Sequence, residues 1–144
     1  MKILHSLLLL GSLAFIVGCQ NEQENTMVLL DEKIKEIHIS KSNGVGDMNN
    51  SEIIFSYNDE QAIQVIEQAI KTALKQQADI NETKPDYDVV VEYEGEFPTH
   101  AIHLWLGEEN EKSTLMYMVG EGQTYLTSEK STNQLRELIL SKNQ

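Results

Sequence analysis

The chain has 144 residues and carries 23 acidic against 11 basic side chains, a formal net charge of −12 that disfavours nucleic acid and anionic lipid headgroups as partners. Its length suits one compact domain. A single cysteine rules out a fold stapled by disulfides, so stability has to come from a core.

The first nineteen residues read MKILHSLLLLGSLAFIVGC, with Lys2 ahead of an apolar run from Leu7 to Val17. That run falls short of the roughly 20 apolar residues a membrane-spanning helix needs. A charged start, a short apolar stretch and small residues before a processing point describe a secretory signal. Ile16, Val17 and Gly18 ahead of Cys19 resemble the bacterial lipobox. That resemblance implies cleavage after Gly18 and a diacylglycerol on the Cys19 sulfur, which would consume the only thiol. The expected organisation is a signal peptide over residues 1–18, a flexible tether over 19–32 and a single domain over 33–144. Loss of Lys2 with the signal would take the net charge from −12 to −13.

Within the domain, Ile37 and Ile39 alternate with His38 and Ser40, the period of two that marks a half-buried strand. A Gly- and Asn-rich stretch, SNGVGDMNNSE, separates it from EIIFSY, in which Ile53, Phe55 and Tyr57 are expected on one face. This stretch holds oxygen donors, but not in the order of an EF-hand calcium loop. Asn58 or Asp59 is positioned to cap a helix whose residues Ala62, Ile63, Ile66, Ala69, Ile70, Ala73 and Leu74 recur at spacings of three and four. One apolar stripe of that width requires a sheet to cover it.

Pro85 marks the entry to YDVVVEY, with Tyr87, Val89, Val91 and Tyr93 on one face and Asp88, Val90 and Glu92 on the other. THAIHLWLG returns after a short turn, then come strands in STLMYMV and TYLT, and Ser128 caps a closing helix with Leu135, Leu138 and Ile139 as its stripe. The order β-β-α-β-β-β-β-α with hairpin-length connections predicts an α+β two-layer sandwich. Its sheet should be mainly antiparallel, with five to six strands and two helices on one face.

If the turn is the four residues 94–97, Asp88 faces His103; a two-residue turn moves the pairings along but keeps the same faces together. His38, Asp88, His103 and Trp105 then share the face away from the helices and should project to solvent as a candidate interaction face. Cross-strand packing without a partner is the alternative for the same residues. His100 and His103 lie on opposite faces of their strand, so they cannot share an ion, and no metal ligand set, catalytic residue or cofactor motif is assigned. The function expected is a non-enzymatic interaction module of the cell envelope. A small-ligand or metal-binding lipoprotein using the same face is the alternative.

IHISKS at residues 37–42, KPDYD at 84–88 and HLWLG at 103–107, in that order behind a lipobox, resemble the small lipoproteins of Bacillus-type bacteria that carry a YhfM-like domain. The resemblance runs from about Ile34 to the final helix. It implies a lipid anchor at Cys19 on the outer face of the membrane and carries over no catalytic residue.

Overall fold

A computed structural model describes residues 25–47, 52–80 and 83–141. Its elements are β1 (Ile34–Lys41), β2 (Ile53–Tyr57), α1 (Glu60–Lys71), β3 (Leu74–Lys75), β4 (Tyr87–Tyr93), β5 (His100–Trp105), β6 (Thr114–Tyr117), β7 (Thr124–Leu126) and α2 (Glu129–Leu140). Seven strands make one sheet in the order β2-β1-β4-β5-β6-β7-β3, and every pairing is antiparallel. Both helices lie on one face, so the two-layer α+β sandwich holds with one strand more than the periodicity indicates. The extra strand, β3, has two residues and pairs with β7, too short to show an alternation.

Period and capping explain the elements. The Asp59 carboxylate accepts the Ala62 N–H at 2.9 Å and starts α1, and Ser128 does the same for α2 through the Ser131 N–H at 3.1 Å. Ile66, Ala69 and Ile70 of α1 and Leu135 of α2 pack on Val89, Ile102, Leu104 and Leu115 of the sheet. Ile37, Ile39, Val91 and Ile139 are wholly buried with them. At roughly 25 cal/mol per Å² of apolar surface, this layer is the main source of stability. Helix α1 ends at Lys71, and Leu74, expected in its stripe, stands 57% exposed in β3.

Two further differences reshape the molecule. Met27 and Leu29, expected in the tether, are 1% and 5% exposed and belong to the core. Tyrosines hold this segment. The Tyr117 hydroxyl accepts the Val28 N–H at 2.7 Å and donates to the Val28 carbonyl at 2.6 Å, and the Tyr93 hydroxyl accepts the Leu30 N–H at 3.2 Å. Packed structure therefore begins before Lys33. A register shift between Ile39 and Ser40 then sets Ile53 opposite Ser40 rather than in line with Phe55 and Tyr57. Ile53 is thereby turned to the face opposite the helices, where it is 54% exposed.

Candidate functional site

The face away from the helices carries Glu36, His38 and Ser40 of β1, Asp88, Val90 and Glu92 of β4, and Ala101, His103 and Trp105 of β5. Asp88 and His103 are register partners, the pairing expected for the four-residue turn, and the His103 Nδ1 lies 2.6 Å from Asp88 Oδ1. Both are 0% exposed, which corrects the expectation that they project to solvent with Trp105. The helices do not cover them. Residues 42–47 do: the Ser42 N–H donates to the Asp86 carbonyl, and the Gly46 N–H reaches His103 Nε2 at 3.3 Å. Gly46 has φ of +80°, a conformation that suits glycine alone at little cost.

These contacts fix the imidazole. An Nε2 that accepts an N–H carries a lone pair, so the proton sits on Nδ1 and is donated to Asp88. Trp105 completes this half of the face. Its ring meets His103 edge-on at 6.1 Å between centroids, and its Nε1–H donates to the Thr83 carbonyl at 3.0 Å, leaving it half-buried. Around this group the two distinctive sequence stretches interlock. The Asp86 N–H donates to the Leu104 carbonyl, and Asp86 Oδ2 accepts the Leu106 N–H at 2.8 Å. Gly107 is required by space, since a Cβ there would stand 2.3 Å from the Lys112 carbonyl oxygen.

The other half of the face is built differently. Glu36 is the register partner of Glu92, and His38 that of Ser56 on β2. His38 Nδ1 lies 2.8 Å from Ser56 Oγ, and its Nε2 lies 3.3 Å from Glu92 Oε1 and 3.7 Å from Glu36 Oε2. All three side chains retain solvent access, at 26% for Glu36, 17% for His38 and 35% for Glu92. A cavity of about 300 Å³ opens beside them, with His38 and Glu92 on its rim and Ile53, Val90, Ala101 and Met118 as its apolar lining. Neither Glu36 nor Glu92 is among the site residues the sequence indicates, because their approach to His38 depends on β1 and β4 being neighbours.

His100, three residues before His103, faces the helix layer, where its Nδ1 is hydrogen-bonded to the Tyr93 hydroxyl at 2.8 Å. Burial pushes its pKa below 6.5. His100 and His103 do lie on opposite faces, and the histidine that meets carboxylates in the open is His38. Cys19 and its flank of Ile16, Val17 and Gly18 lie outside the described residues.

Residues 30–144 match the model of a protein family described as YhfM protein. The chain belongs to the YhfM family. Among curated proteins nothing matches. Among solved structures, the YhfM domain is similar to a thioesterase-like protein from Clostridium sporogenes ATCC 15579, at a TM-score of 0.52 and 17% identity, covering 74% of this chain and 94% of that one. At that identity the likeness is one of fold. Among the described residues, no helix of the YhfM domain is long and apolar enough to cross a membrane.

Proposed function

We propose that the chain is a lipid-anchored, extracytoplasmic and non-enzymatic binding module of the cell envelope, held by Cys19 and receiving a protein partner at the His38–Glu92 end of its open face. The carrying observation is the cavity of about 300 Å³ on that end, which joins an apolar floor to a polar rim. Rigid strands on three sides keep it formed without a ligand. The Asp88–His103 pair supports the non-enzymatic part. Acyl-transfer chemistry of the kind the neighbour's name suggests would need a nucleophile or water against His103 Nε2, and the Gly46 N–H fills that position.

The test is capture from intact membranes with a photo-crosslinking residue at Ala101. Wild type should trap one envelope protein reproducibly, Val90→Arg should lose it by filling the cavity, and Trp105→Ala should retain it. Equal trapping by wild type and Val90→Arg would remove this end of the face from the reading. For the anchor, Cys19→Ser should abolish fatty-acid labelling and release the protein from membranes. An unmodified Cys19 in the mass spectrum of the mature protein would end that part.

A further inference from the structure

Glu36, His38 and Glu92 each present one ligand atom, and these atoms all lie within 4.8 Å of one another. The chemistry of the set is that of a transition-metal site: one imidazole nitrogen and two carboxylates, on neighbouring strands that cannot move apart without breaking the sheet. The two separations from His38 agree with this. Metal–ligand bonds of about 2.0–2.2 Å in tetrahedral geometry place ligand atoms about 3.3–3.6 Å apart. His38 Nε2 stands 3.3 Å and 3.7 Å from the two carboxylate oxygens.

The outer contacts point the same way. The Ser56 hydroxyl, 2.8 Å from His38 Nδ1, can accept the Nδ1 proton when an ion takes Nε2, the arrangement by which metal-bound histidines are held. Glu36 and Glu92 are opposite one another across β1 and β4, a like-charge pair that costs stability. Among the described residues no lysine or arginine forms an ion pair with either of them; His38 alone does. A divalent cation would relieve that repulsion.

We propose that Glu36, His38 and Glu92 form a binding site for a divalent first-row transition metal, with three protein ligands and a remaining position open to solvent beside the cavity. A site of this kind holds its ion exchangeably, and the open position can take an oxygen or nitrogen donor from whatever enters the cavity. The inference stands on these side chains alone and does not depend on the protein partner proposed above.

The test uses the full chain, detergent-solubilised and free of any affinity tag, titrated calorimetrically with Zn²⁺ and followed spectroscopically with Co²⁺. Wild type should bind one ion, and His38→Asn, Glu36→Gln and Glu92→Gln should each weaken binding by at least about 10-fold, with Ser56→Ala weakening it by about 10-fold. These four positions are solvent-accessible, and circular dichroism checks that each variant folds. Binding that is absent in wild type, or unchanged in His38→Asn, overturns the proposal. So does a Co²⁺ spectrum with a thiolate charge-transfer band, which would locate the ion on Cys19. Both readouts use the purified protein alone, so a failure here leaves the membrane-capture result standing, and the reverse also holds.

Discussion

The open face of the sheet contains two histidine–carboxylate groups built from the same parts and put to different uses. At one end, His103 and Asp88 are sealed beneath residues 42–47, with Nδ1 on the carboxylate and Nε2 on a backbone N–H. At the other end, His38 has Nδ1 on a serine hydroxyl and Nε2 directed at two solvent-accessible carboxylates. The difference lies in what lies above each imidazole. A buried pair with both ring nitrogens engaged is a structural device, and it pins a polar loop that has few apolar contacts of its own. An accessible imidazole beside two solvent-accessible carboxylates is a place where something can bind. Residue type alone would rank the buried pair first as a site, and burial reverses that ranking.

If the contrast is real, mutation should separate stability from binding. His103→Ala leaves the Asp88 carboxylate buried without its partner, and Oδ2 of Asp88 already lacks a hydrogen bond among the described residues. Removing one member of such a pair costs about 3–5 kcal/mol. Urea unfolding should show that loss in His103→Ala, with a part recovered in Asp88→Val/His103→Val, where no charge is stranded. His38→Ala should change stability by no more than about 0.5 kcal/mol. Equal losses at the two histidines would break the contrast.

A second effect tests the frame that holds the sealed end. Gly107→Ala places a methyl 2.3 Å from the Lys112 carbonyl oxygen, and the chain must shift to admit it. Overpacking of this sort costs about 1–3 kcal/mol. The loss should be accompanied by faster hydrogen exchange at the Leu106 N–H, which donates to Asp86. At the open end the sign inverts. Glu36→Gln should leave stability unchanged or raise it by about 0.2–1 kcal/mol, since it removes one member of a cross-strand like-charge pair.

The same contrast shows where sequence reasoning reached its limit. Alternation and capping residues identify both helices and the longer strands because those signals are local. The Asp88–His103 pairing is also nearly local, since a short turn fixes the register of a hairpin. The cover over that pair is not. Nothing in SNGVGDMNNSE has a period, and the path of residues 42–47 over the sheet depends on glycine conformation and on one bond to a histidine 57 residues away. Thr26 to Leu30 likewise show no alternation, and their packing rests on tyrosine hydroxyls from β4 and β6. The His38 cluster required β1 to pair with β4 across two intervening strands and a helix, and strand order is a property of the whole fold. The stretches that carried the family resemblance, KPDYD and HLWLG, are legible because they interlock, and they hold the sealed end of the face rather than the open one.

The smallest expected effect concerns the third described histidine, and it guards the comparison against misattribution. His100 is half-buried between Tyr93 and Tyr117, and burial holds its pKa below 6.5. Its Nδ1 lies 2.8 Å from the Tyr93 hydroxyl. The unfolded chain takes up a proton on this residue near pH 6.5, and the folded chain does so only at lower pH. Protonation then favours unfolding, so stability is complete above pH 6.5 and declines as pH falls through it, levelling off below the folded value. Urea midpoints at neutral and mildly acid pH should show this slope in wild type and a shallower one in His100→Phe, which keeps a ring against both tyrosines. The slope lost in His100→Phe is the part that belongs to the helix side of the sheet and not to either histidine of the open face.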